Sequence, residues 1–279
     1  MTKKKIDTLV NDIYSLLDNG TTSPSQEYLF AMASDIVDSL KKQLWVGTRP
    51  SGKGKLRMSN IGKPCTRSLW YDINGDDNSD KLTSETKLKF IVGDVVEAVI
   101  LYLVKESGHV VTDQQKEIEI GGIKGHIDAV IDGELVDVKS SSSYGMRKFK
   151  EGTLPQDDPF GYCSQISGYA NALGKKSGTF LAFDKSAGDL ALYTYKDIED
   201  STKRIEKVIA DTTCAAPPER AFNTVEERAT KKKKLGINCS YCSHKKTCWK
   251  DVGLDLKFKS GRPVFYVPTA GEKSNEHGF

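Results

Sequence analysis

Residues 125 to 143 read GHIDAVIDGELVDVKSSSS, and an Asp-Gly pair sits between two apolar runs. Such a pair is a strong hairpin signal. A two-residue turn at Asp132 and Gly133 fixes every pairing behind it: Ile131 faces Glu134, Val130 faces Leu135, Ala129 faces Val136, and Asp128 faces Asp137. Ile127, Ala129, Val130, Ile131, Leu135, Val136 and Val138 suit strands buried on both faces, so Asp128, Asp137 and Lys139 need an explanation. Opposed Cβ atoms on neighbouring strands lie about 4.5 to 5.5 Å apart, and like charges there repel. A divalent cation between the two acids turns that repulsion into binding, and period two puts Lys139 on the face of Asp137. Two carboxylates and a backbone carbonyl suit Mg²⁺ or Mn²⁺. With a lysine beside them they suit hydrolysis of a phosphodiester, where water must be activated and transition-state charge offset. The bland alternative is a solvated Asp128 and an exposed Asp137–Lys139 ion pair.

The rest of the chain supplies a frame for this hairpin. Ile6, Leu9, Val10, Ile13 and Leu16 mark one helical stripe, and Leu29, Met32, Ile36 and Leu40 mark a second after a break from Gly20 to Pro24. Thr83 is an N-cap for a long helix that carries Leu88, Val92, Val95, Val99 and Leu103 on its apolar face and ends at Gly108. Strands are expected near 109–112, 116–120, 124–131 and 134–140, a loop over 141–158, and a helix from Pro159 to Leu173. Strands at 178–184 and 190–195 and a helix over 197–213 follow. This order predicts an α/β fold, a mixed central sheet flanked by helices. The expected divisions are an N-terminal helical region with a basic linker (1–60), a core (61–215), and a C-terminal cysteine-bearing segment with its tail (216–279).

The composition, 38% hydrophobic and 28% charged, is that of an ordinary globular chain. No apolar run approaches the roughly 18 residues that span a bilayer, and the N-terminus lacks the pattern of a secretory signal. The expected location is therefore the cytosol, of a bacterium or a phage-infected host. Net charge is only +3, but Lys41, Lys42, Arg49, Lys53, Lys55, Arg57, Lys63 and Arg67 follow one another with no acid among them. With Gly47, Gly52 and Gly54 interleaved, that segment suits a phosphate backbone or, alternatively, a solvated linker. Trp45, Trp70 and Tyr71 either stack on bases along the same path or belong to the core. The run Lys231 to Lys234 is most simply a solvated face.

Gln165 and Tyr169, four apart in PFGYCSQISGYANALG, share a helix face, and Glu97 in GDVVE lies on the long helix. Taken in order, Gly93 to Glu97, Gly125 to Asp128, Asp137 to Lys139, and Gln165 to Tyr169 resemble the motifs of the RecB-like branch of the PD-(D/E)xK nucleases. The resemblance spans roughly residues 60 to 250. It implies a restriction-endonuclease-like fold in which Glu97, Asp128 and Asp137 bind metal and Val138 adds its carbonyl. Lys139 would assist the attacking water, and Gln165 and Tyr169 would support the site or the DNA. Many members carry His where this chain has Glu97.

Six cysteines without an export signal are expected as thiols. NCSYCSHKKTCWK supplies Cys239, Cys242 and Cys248, and Cys65 in GKPCTRSLWY, flanked by Lys63 and Arg67, offers a fourth ligand. One cysteine before the core and three after it resembles the iron-sulfur members of the same nucleases, including CRISPR-associated ones and those of helicase-nuclease complexes. This implies a structural 4Fe-4S cluster, with a four-thiolate Zn²⁺ site as the alternative. His244 is expected to meet solvent or DNA, and Cys163 and Cys214 to be small, partly buried thiols. The whole reading is a Mg²⁺- or Mn²⁺-dependent deoxyribonuclease. Exonucleolytic action on ends or single strands, in replication, recombination or repair, is expected ahead of a structure-specific or single-strand endonuclease. A noncatalytic recombination accessory protein is the alternative from another class. No helicase motor accompanies the motifs, which suggests a free-standing enzyme of phage or mobile-element origin.

Overall fold

A computed structural model describes residues 4–44, 54–259 and 262–268. Trp45, Gly47, Arg49, Gly52 and Lys53 of the basic stretch, and the tail from Gly271 to Phe279, lie outside the described residues. The helices are α1 (Leu9–Asn19), α2 (Gln26–Leu44), α3 (Met58–Ile61), α4 (Thr66–Asn74), α5 (Ser84–Glu106), α6 (Ser143–Glu151), α7 (Tyr162–Ala172), α8 (Ser201–Thr213), α9 (Ile237–Ser240) and α10 (Lys245–Cys248). The strands are β1 (Val111–Thr112), β2 (Glu117–Ile120), β3 (Ile123–His126), β4 (Ala129–Ile131), β5 (Glu134–Ser141), β6 (Gly178–Asp184), β7 (Leu190–Tyr195), β8 (Thr224–Glu226), β9 (Lys233–Leu235), β10 (Asp255–Lys259) and β11 (Arg262–Tyr266). The fold is the expected mixed α/β architecture. Its residues divide into two compact units, one of Met1–Ser51, Arg57–Gly62 and Thr83–Glu206, the other of Gly52–Leu56, Lys63–Leu82 and Lys207–Phe279.

In the first unit a five-stranded sheet runs in the order β1-β4-β5-β6-β7. Only β5 and β6 are parallel, joined by a crossover through α6 and α7, as parallel neighbours require. One sheet face packs Val136, Val138 and Leu181 against Leu9 and Ile13 of α1 and Ile100, Leu101 and Val104 of α5. On the other face Phe180 meets Phe149 of α6, with ring centroids 5.6 Å apart. Gly178 leaves room there for Ile166 of α7 and Leu135. Period two along β5 thus sends Val136 and Val138 one way and Leu135, Asp137 and Lys139 the other.

The hairpin forms in the expected register, with Ile131 opposite Glu134, Val130 opposite Leu135 and Ala129 opposite Val136. Its turn residues Asp132 and Gly133 both have positive φ, 53° and 90°, which a tight two-residue hairpin favours. Asp132 also receives a buried histidine: His109 Nδ1 lies 2.6 Å from Asp132 Oδ2 and Nε2 lies 3.0 Å from Asp12 Oδ2, tying α1 to the turn. Thr83 caps α5 by accepting from the Thr86 N–H at 3.3 Å.

Four expectations change. The strand proposed for 124–131 is two, because β3 pairs with β2 in a separate ribbon before the chain bends into β4. The stretch 141–158 contains α6, for which Ser142 accepts from the Gly145 N–H at 3.3 Å. The buried face of α5 is Ala98, Ile100, Leu101 and Val104, whereas Leu88 and Val92 are exposed. The second unit holds a four-stranded antiparallel sheet, β10-β11-β9-β8, that the sequence reading does not contain.

Candidate active site and thiol centre

The candidate active site assembles where β4, β5, α5 and α7 of the first unit meet. Asp137 is buried in β5, and its Oδ2 lies 2.6 Å from Lys139 Nζ, whose side chain keeps 17% of its exposure. The lysine reaches Gln165 Oε1 at 3.4 Å, and Gln165 Nε2 donates to the Tyr169 hydroxyl at 2.9 Å. One turn of α7 therefore carries both partners on the face turned to β5, as the four-residue spacing requires. Tyr162, one turn earlier, lays its ring 4.8 Å from the ammonium, within cation–π range.

Asp128 departs from its expected place. The ladder stops at Ala129 and Val136, so Asp128 is no rung partner of Asp137. It sits at the bend between β3 and β4, and its Oδ2 accepts the Val138 backbone N–H at 2.7 Å. The carboxylates remain electrostatic neighbours. Burial, Asp137 and Glu97 push the Asp128 carboxyl well above the usual carboxylate range, against the pull of Lys139 and the Val138 N–H. Glu97, on α5, is pushed up to about 7 by burial and Asp137, while Gln115 Nε2 donates to its Oε1 at 2.6 Å. Lys139 is raised: burial opposes the charge, and Asp137 and Asp128 more than offset it. Burial and Asp137 likewise raise Tyr169.

Two glycines set these distances. A Cβ on Gly125 of β3 would fall 2.5 Å from Met58 Cβ and 3.1 Å from Tyr169 Cε1, and one on Gly168 of α7 would fall 2.3 Å from Met58 Sδ. The fully buried Met58 is thus wedged between the strand leading to Asp128 and the helix bearing Gln165 and Tyr169. The sequence reading missed Met58; its neighbours' glycines were the available signal. Gly93 is different, since a Cβ there meets nothing nearer than Ser140 Oγ at 3.8 Å.

Do these residues fit a divalent cation? Asp137 Oδ2 is buried and accepts no well-angled hydrogen bond, its lysine contact notwithstanding. Three mutually repelling carboxylates are a hard, oxygen-rich donor set. Among the described residues no three His, Cys, Asp or Glu side chains already form a closed metal cage. The donor chemistry fits, and the side chains have to draw together to use it.

The second unit contains Cys65, at the start of α4, and Cys239, Cys242 and Cys248, which among the described residues do not form a ready metal-holding group. Burial and the neighbouring thiols of Cys242, Cys65 and Cys248 push Cys239 up to about 11, and burial raises Cys242. Such crowding of soft donors suits a thiolate-bound centre. A polar clasp holds the two segments. His244 is buried, not solvent-facing as expected, with Nε2 2.8 Å from Asp72 Oδ1 and Nδ1 2.8 Å from Asp76 Oδ2. Thr247 Oγ1 donates to Asp76 Oδ1 at 2.7 Å, and Lys245 pairs with Asp80. Lys63 pairs with Asp72 at 3.0 Å, and Arg67 donates to the Pro218 carbonyl at 2.6 Å. These two cations are therefore engaged within the unit. Tyr71 is core and Trp70 is half-buried, its indole N–H bound to the Cys214 carbonyl at 2.8 Å. Cys163 is buried, but Cys214 is exposed, contrary to expectation.

Among the described residues no helix is long and apolar enough to cross a membrane. No family model matches the chain, and no curated protein matches it in sequence. Solved structures resemble its backbone at low identity. A protein named SSO0001 is 16% identical with a TM-score of 0.44, over 82% of this chain and 98% of its own. An alkaline exonuclease from Laribacter hongkongensis, LHK-Exo, is 14% identical with a TM-score of 0.40, over 57% of this chain and 88% of its own. The same exonuclease in complex with dAMP is 12% identical with a TM-score of 0.35, over 63% of this chain and 89% of its own. None of these three reaches a TM-score of 0.5, and the chemistry of the site stands on its own residues.

Proposed function

We propose that this protein is a metal-dependent deoxyribonuclease. The observation that carries the reading is the lysine of β5, held 2.6 Å from Asp137 and 3.4 Å from Gln165 where Asp128 and Glu97 converge. A cluster of like charges with one ammonium at its edge is expensive to fold and useful for phosphoryl chemistry. Glu97, Asp128, Asp137 and the Val138 carbonyl would hold Mg²⁺ or Mn²⁺, which supplies Lewis-acid charge when bound. Lys139 orients the attacking water and offsets charge that develops on the phosphate oxygens. Gln165 holds the ammonium in place through its Oε1 and is itself held by Tyr169. The four cysteines would carry a structural 4Fe-4S cluster, or Zn²⁺ in its place, and take no part in hydrolysis.

The finer reading is an exonuclease acting on DNA ends or single strands, and it rests on the motif resemblance. Labelled linear and circular single-stranded DNA, offered with Mg²⁺ or Mn²⁺, test both levels. Degradation of linear DNA alone supports the exonuclease; cutting of the circle replaces it with an endonuclease. No cleavage of any DNA overturns the nuclease reading.

A further inference from the structure

The loop entering α7 carries an aromatic pair that hydrolysis itself does not require. Phe160 is 61% exposed, and its ring centroid lies 5.5 Å from that of Tyr162 with the planes 31° apart. Tyr162 in turn carries the Lys139 ammonium 4.8 Å from its ring and sits 6.3 Å from the buried ring of Phe180. Three rings therefore step from the core, past the candidate catalytic lysine, to solvent. A lone exposed phenylalanine calls for no account. The loop that bears this one is held in place. Lys148 pairs with Asp157 at 2.5 Å and donates to its carbonyl at 2.8 Å, while the Tyr144 hydroxyl donates to Asp157 Oδ2 at 3.2 Å. The Cys163 N–H donates to Asp158 Oδ2 at 2.8 Å. Gly161, with φ +75°, presses on the Gly62 carbonyl so closely that a Cβ would fall 2.0 Å from its oxygen.

We propose that Phe160 and Tyr162 form a stacking platform for the nucleobase next to the scissile phosphate, so that the site takes an unpaired strand. This rests on the nuclease reading above. The charge at Lys139 draws the phosphate, and the exposed π-face of Phe160 belongs to a ring in contact with the one beneath that charge. A base that stacks on a side chain has left the duplex stack, so the platform selects single-stranded DNA or a frayed end over intact duplex. Stacking of this kind accepts any base, because each presents a π-face.

The test uses the full chain and a short single-stranded oligonucleotide, intact or with one abasic position stepped along it. Binding is read by fluorescence anisotropy with Ca²⁺ in place of the active metal, and cleavage with Mg²⁺ or Mn²⁺. Phe160→Ala is expected to weaken binding and raise KM about 5- to 150-fold with a smaller change in kcat, the range that loss of one stacked base gives. Phe160→Trp is expected to restore both. One abasic position is expected to cost the wild type as much as the substitution does, and to cost Phe160→Ala little more. Wild-type cleavage with no penalty from either the substitution or any abasic position overturns the platform and leaves the nuclease standing. A wild type that neither binds nor cleaves the strand overturns the platform, and one that cleaves duplex DNA no better overturns the nuclease reading with it.

Discussion

Met58, Gly125 and Gly168 show how single atoms decide where the carboxylates stand. A methyl at Gly125 has to displace Met58 Cβ, which has no slack because the residue is fully buried between two elements. Gly125→Ala is expected to destabilise the first unit by about 1–3 kcal/mol, the usual cost of overpacking, and to lower activity by shifting Tyr169. Gly93→Ala is the contrast: its new Cβ meets only Ser140 Oγ at an ordinary distance, and alanine gains up to about 1 kcal/mol inside a helix. Thermal melts of the two variants check both signs. At Lys139 the effect divides differently. Lys139→Ala leaves Asp137 buried and uncompensated, so it is expected to lose about 3–5 kcal/mol of stability and at least about 100-fold in kcat. Lys139→Gln, one atom shorter but still a neutral hydrogen-bond donor, separates the two by restoring part of the stability without the activity. At this scale the sequence was informative. Asp128, Asp137, Lys139, Gln165 and Tyr169 are singled out by register, spacing and motif resemblance, and the structure brings them into one neighbourhood. Met58 was not, since a lone methionine announces no wedge and only the glycines at 125 and 168 hint at one.

At the scale of elements, β5 carries the site because its two faces answer to different neighbours, Val136 and Val138 to α1 and α5, Asp137 and Lys139 to α7. The hairpin register was legible because a two-residue turn leaves no freedom in pairing. Its last rung was not, since the bend between β3 and β4 is set by packing and replaces an Asp128–Asp137 pair with an Asp128 to Val138 hydrogen bond. Helix α6 was hidden by its serines and glycine, which read as loop until Ser142 is seen as a cap. In the second unit the clasp of His244 between Asp72 and Asp76 does work that a metal centre alone is not needed for. His244→Ala removes the imidazole from both carboxylates, leaving Asp72 to Lys63 and the almost fully buried Asp76 to Thr247. It is expected to destabilise this unit by about 1–3 kcal/mol. Limited proteolysis is the check: cleavage near Asp76 to Asp80 and Ser243 is expected to rise, with the first unit unaffected.

For the molecule as a whole, two units are each assembled from stretches distant in sequence, and the four cysteines all belong to the second. The thiol centre predicts a brown protein absorbing near about 400 nm and carrying iron and sulfide when prepared without air; stoichiometric zinc in a colourless preparation assigns the alternative centre. Cys65→Ser is expected to release the metal and lower the melting temperature, whereas Cys163→Ser leaves metal content unchanged. The four-stranded sheet β10-β11-β9-β8 was not legible, because strands of three to five residues lie in a stretch whose lysines and cysteines read first as charge and ligands. The proposed chemistry is hydrolysis of DNA by Glu97 of α5, Asp128 at the β3–β4 bend, and Asp137 and Lys139 of β5. End-labelled single-stranded DNA, incubated with wild type and with Asp137→Asn and Lys139→Gln in Mn²⁺, tests it most directly. Wild type is expected to degrade the strand in a metal-dependent way, and each folded variant at least about 100-fold more slowly. Equal cleavage by all three, or none by wild type, contradicts it.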